Sequence, residues 1–224
     1  MGAVRSHFPR LVPTGGVIGL LGLVLVALAG IVIRFVGLNR PTPIDVWWHD
    51  LLAASRNPVA DTLAQGLNVI GGTVWMTVIT AALVALLFFA RRRREALTIG
   101  LTVALASGLC SILKLMIARP RPIDGIVDVT SDSYPSGHVD TAAAITIAVA
   151  IAFPRVWTRA IAVVWIIGMA LGRTYLLVHW ASDVAAAALL GLSVALLVSA
   201  AVAAIVSRAT PGRRFLKEPS LVTK

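Results

Sequence analysis

Basic side chains at three places in the sequence have the chemistry needed to hold an oxyanion. Lys114 and Arg121 lie in "KLMIARPRP", and Arg173 lies in "GMALGRTYLLVHW". Arginine binds a phosphate or a carboxylate through a two-pronged fork, whereas lysine acts as a point charge. If folding brings these three side chains together, they would bind and neutralise an anion of the size of phosphate.

The stretch "YPSGHVD" at residues 134–140 adds groups that favour the same ligand. The hydroxyl of Ser136 and the backbone N–H groups at a helix start can donate hydrogen bonds to an anion, which the helix dipole also favours. Gly137 has no side chain, so the backbone can approach a ligand closely. Asp140 comes two residues after His138, and we expect it to be a solvated or helix-start carboxylate rather than a catalytic group.

Two histidines complete the chemistry of a phosphoryl transfer. His138 and His179 can serve as one nucleophile and one general acid near neutral pH. Asp183 follows His179 by four residues, so on a helix its carboxylate can accept the ring N–H and orient the imidazole for attack. Each feature alone has a simpler explanation, such as an interfacial anchor for a histidine. Their order, their spacing and their common position at the ends of apolar runs argue for a site.

The elements that position these residues are predicted to cross a membrane. Of the 224 residues, 58% are hydrophobic and 13% are charged, whereas a soluble domain carries about 25% charged residues. The apolar residues form unbroken runs long enough to span a bilayer as helices. We predict an all-α polytopic membrane protein with six transmembrane helices, in a single domain at 1–206 followed by a basic, disordered tail at 207–224. The predicted spans are residues 16–36, 72–90, 96–117, 138–153, 160–178 and 181–206.

The distribution of basic residues predicts the orientation. With the N-terminus inside, 13 of the 20 Lys and Arg residues fall on the inner side, including the run from Arg91 to Arg94. By the positive-inside rule, both termini are then cytoplasmic and the three chemically interesting stretches lie at the outer face. The same distribution accounts for the net charge of +10 without a nucleic-acid partner. Cys110 is the single cysteine, so an intrachain disulfide is excluded.

The outer loop at 37–71 is predicted to contain two short helices lying on the membrane surface. Apolar residues recur at helical spacing on both sides of the break at Asn57-Pro58. A packed structural cap and a substrate gate fit this pattern equally well. The first span also resembles a cleavable signal peptide around "ALAG" at 27–30, but the apolar run continues beyond it, which favours a retained helix.

Taken together, the three stretches resemble the motifs of the type-2 phosphatidic-acid phosphatase superfamily, membrane lipid phosphatases related to glucose-6-phosphatase and vanadium haloperoxidases. The motifs of that family read KxxxxxxRP, PSGH and SRxxxxxHxxxD. They are matched here by Lys114 with Arg121 and Pro122, by the unchanged "PSGH" at 135–138, and by "GRTYLLVHWASD" at 172–183. In the third motif, glycine replaces the usual serine, so that hydroxyl is absent.

The resemblance implies a role for each matching residue. His179 would attack phosphorus to form a phosphohistidine, oriented by Asp183, and His138 would protonate the leaving oxygen and later activate water. The phosphoryl oxygens would be held by Lys114, Arg121, Ser136, Gly137 and Arg173. Since Arg119 lies outside the motif positions, we expect its replacement to matter less than that of Arg121. The cations would replace a metal ion, so we predict no metal site and no cofactor.

The predicted function is metal-independent hydrolysis of a phosphomonoester or diphosphate on a lipid. Phosphatidylglycerophosphate or phosphatidate and polyprenyl phosphates of the undecaprenyl or decaprenyl type are both compatible with the sequence. The predicted partners are the lipid substrate and membrane lipids, and the Ala- and Val-rich, basic composition fits a bacterial plasma membrane. The alternative is a non-catalytic anion-binding membrane protein or transporter, for which neither inverted repeats nor midplane helix breaks are found. A haloperoxidase is disfavoured because the chain has no sizeable soluble part.

Overall fold

The computed structural model describes residues 12–209, which form helices and connecting turns without any strand. In chain order the helices are α1 (Val12–Ile31, continued by a π-helical turn, Val32–Val36), α2 (Pro43–Ala54), α3 (Pro58–Ile70), α4 (Thr73–Phe89), α5 (Arg93–Ile117), α6 (Gly137–Ala152), α7 (Val156–Tyr175) and α8 (Ala181–Ala209). The predicted all-α class is confirmed. The predicted disordered tail at 207–224 overlaps α8, which stays helical through Ala209, and the rest of that tail lies outside the described residues.

Four helices within residues 12–209 are long and apolar enough to cross a membrane, namely α1 with its π-helical turn, α5, α7 and α8. A fifth span results if α3 and α4, which are bent by 53°, form one broken span. α6 has 16 residues, fewer than the roughly 20 that cross a bilayer. The structure is therefore that of a multi-pass membrane protein with four or five candidate spans, and the six-span count stays a prediction.

α8 is the central helix of the bundle and packs against α1, α5, α6 and α7. Glycines allow α1 to approach α8 closely, since a Cβ on Gly22 would lie 2.1 Å from Oγ of Ser193. Gly191 serves α6 in the same way, because a Cβ there would lie 2.6 Å from the Cβ of Ala143. Small residues at helix contacts are a common means of close packing between membrane helices.

The connections between helices gather at two opposite ends of the bundle. At one end the α4–α5 turn meets the α6–α7 turn, and the guanidinium of Arg92 lies 4.3 Å from the centre of the Phe153 ring. The other end collects the segments 37–72, 118–136 and 176–180. The residues predicted to do chemistry lie at this second end, away from the run of basic residues at the α4–α5 turn.

The two predicted short helices are present in the loop at the second end. α2 begins with a capping box, in which Oγ1 of Thr42 accepts the N–H of Asp45 (3.2 Å) and the Asp45 carboxylate accepts the N–H of Thr42 (3.0 Å). α3 is capped by Asn57, whose side-chain carbonyl accepts the N–H of Ala60 (2.9 Å). The N–H of Asn57 also donates to the hydroxyl of Tyr175 (2.9 Å), which holds the α2–α3 junction against the end of α7. The side of the membrane on which the loop lies stays a prediction.

Candidate active site

The first basic stretch leaves α5 through a sharp turn. α5 ends at Ile117, and Ala118 adopts a left-handed backbone conformation with φ 48°, which redirects the chain. Nζ of Lys114, in the last turn of α5, donates a hydrogen bond of 2.5 Å to the carbonyl oxygen of Asp132. Nη2 of Arg121 donates to the same oxygen at 3.0 Å. The two predicted cations therefore lie side by side at one loop carbonyl.

Arg121 also joins the first stretch to the third. Its Nη1 lies 3.0 Å from Nε2 of His179 and donates to the carbonyl oxygen of Val178 at 2.5 Å. Because arginine can only donate, Nε2 of His179 is the acceptor and carries no proton in this arrangement. An unprotonated ring nitrogen next to an anion-binding guanidinium is what nucleophilic attack on phosphorus requires.

The second ring nitrogen of His179 faces Asp183. Nδ1 lies 3.5 Å from Oδ2 of Asp183, which is longer than a normal hydrogen bond, and it has no other partner. Burial lowers the pKa of His179 to about 3; the nearby Asp183 raises it, and the charges of Arg121 and Arg173 lower it further. The imidazole is therefore neutral at neutral pH. The predicted orienting carboxylate is close to the ring, and catalytic hydrogen bonds are often long before a substrate binds.

Asp183 is held by a residue to which the sequence assigned little importance. Oδ1 of Asp183 forms an ion pair with Nη1 of Arg119 at 2.6 Å, and Oδ2 accepts the backbone N–H of Trp180 at 2.9 Å. Nη2 of Arg119 forms a second ion pair, at 2.8 Å, with Asp45 in α2. The three charged side chains are at most 1% exposed. The expectation that Arg119 matters less than Arg121 thus finds no support in the geometry. The pairing with Asp45 could not have been found from local sequence signals.

Ser182 completes this buried network. Its N–H and its hydroxyl donate to the two carboxylate oxygens of Asp45 at 2.8 and 2.9 Å, and Arg119 donates to the hydroxyl at 2.7 Å. Burial by itself would raise the pKa of Asp45, but backbone hydrogen bonds from Ser182 and Thr42 and the contact with Arg119 outweigh it and lower the pKa. The first turn of α2 is therefore anchored to the start of α8.

The "PSGH" stretch forms the N-terminus of α6. The helix starts at Gly137, and Ser136 is its N-cap residue, with a buried hydroxyl that has no hydrogen-bond partner. A Cβ on Gly137 would meet no protein atom within 4 Å, so packing within the protein does not require glycine there. An unpaired buried hydroxyl is unusual and can donate to a ligand oxygen. Both observations are consistent with the predicted anion cradle.

His138 and Arg173 meet at Asn68 in α3, a residue that sequence reasoning missed. Nε2 of His138 lies 3.1 Å from the backbone carbonyl oxygen of Asn68, and Nη1 of Arg173 donates to the side-chain carbonyl of Asn68. Because a carbonyl can only accept, Nε2 of His138 carries a hydrogen, as a general acid requires. The positive charges of Arg173, Arg121 and Lys114 all act on His138. The structure thus brings the predicted cations and the second histidine into one site.

Asp140 differs in part from the expectation. It lies in the first turn of α6, as a helix-start carboxylate should. However, it is fully buried, and neither of its carboxylate oxygens has a hydrogen-bond partner. The expectation of a solvated side chain is therefore wrong. The physical reason is that α6 packs with its first turn inside the bundle, where a Cβ on Gly191 of α8 would lie 2.7 Å from the backbone oxygen of Asp140.

The chain is similar in sequence to known proteins. A sequence profile of the PAP2 superfamily matches residues 95–207. The decaprenylphosphoryl-5-phosphoribose phosphatase of Mycobacterium tuberculosis is 34% identical over 122 residues, which cover 52% of this chain and 67% of the relative. The undecaprenyl-diphosphatase of Sulfolobus acidocaldarius is 27% identical over 177 residues, which cover 75% of this chain and 84% of the relative.

Two crystal structures share the fold. The PAP2-type phosphatidylglycerolphosphate phosphatase of Bacillus subtilis superposes with a TM-score of 0.68 at 21% identity, covering 87% of this chain and 98% of the other. LpxE of Aquifex aeolicus superposes with a TM-score of 0.63 at 21% identity, covering 70% of this chain and 96% of the other. At this level of identity the likeness concerns the fold alone.

The fold and the site thus define a helical membrane protein with two histidines and several cations at one end. The chain belongs to the PAP2 superfamily, which confirms the resemblance seen in the sequence motifs. Family membership and the phosphatase names of the relatives support a lipid phosphate phosphatase.

Proposed function

We propose that the protein removes phosphate from a polyprenyl-linked lipid, as a monoester or a diphosphate, through a phosphohistidine on His179. The observation that carries this proposal is the 3.0 Å contact between Nη1 of Arg121 and Nε2 of His179, with the other ring nitrogen facing Asp183. This contact supports the proposal, because the guanidinium of Arg121 could bind a phosphoryl oxygen next to a ring nitrogen that is free of a proton.

In the first step, Nε2 of His179 attacks phosphorus, and the bond between phosphorus and the leaving oxygen breaks. Protonated His138 donates its Nε2 proton to that oxygen, so the leaving group departs as an alcohol or a lipid phosphate. Asp183 accepts a hydrogen bond from the Nδ1–H of His179 and stabilises the positive charge that develops on the ring. Arg119 keeps Asp183 in position through its buried ion pair.

In the second step, water replaces the histidine. His138, now neutral, takes a proton from a water molecule as the water oxygen attacks phosphorus. The bond between phosphorus and Nε2 of His179 breaks, inorganic phosphate leaves, and both histidines return to their starting states. The same imidazole therefore acts first as an acid and then as a base.

The basic residues hold the phosphoryl group in both steps. Phosphoryl transfer depends mainly on positioning and on stabilisation of charge on the phosphoryl oxygens. The groups proposed to bind these oxygens are Lys114, Arg121, Arg173, the hydroxyl of Ser136 and the N–H of Gly137. Among the described residues, no three His, Cys, Asp or Glu side chains lie close enough together to hold a metal ion. We propose that the cations supply the charge and that the reaction needs no metal, which stays a prediction.

A lipid tail could bind between the helices, deeper in the bundle than the site. An apolar groove of about 290 Å³ lies between α4, α6 and α7, with Met76, Val149 and Trp165 in its walls. Ile145, which also lines it, comes eight residues after Gly137, or about 12 Å deeper along α6 at 1.5 Å per residue. The names of the two relatives favour a polyprenyl tail, whereas the name of the B. subtilis protein keeps phosphatidylglycerophosphate and phosphatidate as the second class.

The proposed setting is a bacterial plasma membrane crossed six times, with both termini in the cytoplasm and the site on the outer face. The run from Arg91 to Arg94 lies at the end of the bundle opposite to the site, and basic residues favour the cytoplasmic side. In this arrangement α4 and the short α6 each count as one span.

Phosphate release by the purified protein in detergent, with EDTA present, tests the proposal on a panel of lipid phosphates. His179→Ala should abolish turnover, whereas Arg56→Gln, in an exposed ion pair with Asp61 outside the site, should leave it unchanged. Full activity of His179→Ala would reject the covalent mechanism. Loss of wild-type activity in EDTA would reject the metal-free reaction.

A further inference from the structure

A cavity of about 370 Å³ adjoins the site on the side of His138. It lies between the end of α3, the start of α4 and the loop segment 127–129, and His138 and Arg173 form part of its wall. Its volume falls within the range of about 300–1,000 Å³ that is usual for small-molecule sites. His179, the proposed nucleophile, is not among the residues that line it.

The position of the cavity identifies the part of a substrate that it can receive. In the proposed reaction, His138 must lie within hydrogen-bond distance of the leaving oxygen. In an in-line displacement, the nucleophile and the leaving oxygen lie on opposite sides of phosphorus. The group attached to the leaving oxygen therefore extends past His138, away from His179, and into this cavity.

Arg173, a cation in the cavity wall, is proposed to hold the phosphoryl group that is transferred. The remaining polar groups in the wall suit hydroxyl groups better than a second phosphate. Asp128 lines the cavity, and its carboxylate has no ion-pair partner among residues 12–209. A carboxylate accepts hydrogen bonds from hydroxyl groups but repels a phosphate. Asn68 and Thr73 add an amide and a hydroxyl to the same wall, and Trp75 adds an aromatic surface.

The cavity also lies next to an exposed apolar surface. Val74 and Trp75, which line it, are 74% and 54% exposed at the start of α4. A tail attached to the leaving group can therefore pass from the cavity to the apolar exterior of α4 without crossing the phosphoryl site.

We propose that this cavity is a subsite for a hydroxyl-bearing leaving group, such as a sugar or polyol that links the phosphate to the lipid, and that Asp128 selects against a diphosphate. The inference rests on the proposed function, because it uses His138 as the general acid. It narrows the substrate class to lipids whose terminal phosphate is esterified to a polyhydroxylated group.

A comparison of two probes tests the subsite. One probe is a polyprenyl phosphosugar that carries a phosphomonoester on the sugar, and the other is a polyprenyl diphosphate of the same chain length. Asp128→Asn should lower kcat/KM for the phosphosugar about tenfold, since a hydrogen bond to a charged group is worth at least about 1.4 kcal/mol. It should leave kcat/KM for the diphosphate unchanged or higher. Asp128→Lys, which puts a positive charge in the cavity, should raise kcat/KM for the diphosphate above that of Asp128→Asn.

Asp124→Asn is the matched control, because Asp124 lies in the same loop but pairs with His49 and does not line the cavity. It should leave the ratio of the two kcat/KM values unchanged. The inference is overturned if the wild type prefers the diphosphate, or if Asp128→Asn leaves that ratio unchanged. If the wild type releases phosphate from neither probe, or if His179→Ala stays active, it is the proposed function that fails.

Discussion

Replacing Arg119 should damage catalysis more than its position in the sequence suggests. Its guanidinium bridges two buried carboxylates, at 2.6 Å from Asp183 and 2.8 Å from Asp45. Removal of one partner from a buried ion pair costs about 3–5 kcal/mol, because the remaining charge stays buried without compensation. Arg119→Gln should therefore lower stability by about that amount and leave Asp183 free to move away from His179.

The effect on turnover follows from the role of Asp183. A misplacement of about 1 Å at a catalytic group can cost about 100-fold in rate. We expect Arg119→Gln to lower kcat about 100-fold with little change in KM, since Arg119 holds Asp183 and is not proposed to bind the phosphoryl group. Arg119→Lys keeps the charge but cannot bridge both carboxylates as a fork, so its kcat should be intermediate. Asp45→Asn leaves the pair of Arg119 with Asp183 in place and should cost less than about tenfold, within the range of a single hydrogen bond.

The assay measures kcat and KM on a detergent-soluble lipid phosphate, together with thermal unfolding of each variant. Arg56→Gln is the matched control, because Arg56 forms an exposed ion pair with Asp61 and should change neither quantity. The predicted order of kcat is wild type, Asp45→Asn, Arg119→Lys, Arg119→Gln. Wild-type kcat in a folded Arg119→Lys or Arg119→Gln variant would show that Arg119 does not position Asp183. If Arg119→Gln does not fold, a change in KM rather than kcat in Arg119→Lys would show the same.

Three further predictions address the cradle, the nucleophile and the topology. Ser136→Ala should lower kcat/KM about tenfold through loss of a hydrogen bond to a charged ligand. It should also raise the melting temperature, because an unpaired buried hydroxyl is removed. A fall in both kcat/KM and the melting temperature would contradict the anion cradle. Burial lowers the pKa of His179 to about 3, against about 6.5 in an unfolded chain. The contribution of His179 to the free energy of unfolding should therefore be fully present above about pH 6.5 and fall as the pH drops towards 3, because only the unfolded chain binds the proton in this range. Melting curves of His179→Gln should show a smaller fall over this range, and an unchanged one would contradict the shift. In a Cys110→Ala background, an impermeant maleimide should label intact cells at Asp124→Cys but not at Arg91→Cys, and the reverse would invert the proposed topology.

The helical layout was largely predictable from the sequence, because apolar runs bounded by charged or turn residues determine where helices can cross a bilayer. The predicted 96–117 and 181–206 agree with α5 (Arg93–Ile117) and α8 (Ala181–Ala209) to within a few residues. The number of crossings was less predictable, since α6 has only 16 residues and α3 and α4 meet at a bend of 53°. Length and hydropathy alone do not separate a short span from a broken or re-entrant one.

The contacts within the site were predictable only where spacing carries a signal. The four-residue spacing of His179 and Asp183 puts them on one helical face, and the structure places Nδ1 3.5 Å from the carboxylate. The pairing of Arg119 with Asp45 spans 74 residues and has no local period, so no pattern in the sequence points to it. Asn68 was missed for the same reason, since it reaches the site only because α3 packs against α7.

Trapping the covalent intermediate tests whether His179 is the nucleophile. Wild-type protein and the His138→Ala variant are mixed with an aryl phosphate labelled in its phosphoryl group, whose leaving group departs without a proton from His138, and are quenched in alkali, where phosphohistidine survives. The variant lacks the proposed base for hydrolysis, so the intermediate should accumulate in it. We expect label on the peptide that contains His179, and no labelled protein in a His179→Ala variant. Two results would contradict the covalent mechanism. One is turnover by the wild type while no labelled His179 peptide forms in either protein, and the other is label that persists in His179→Ala.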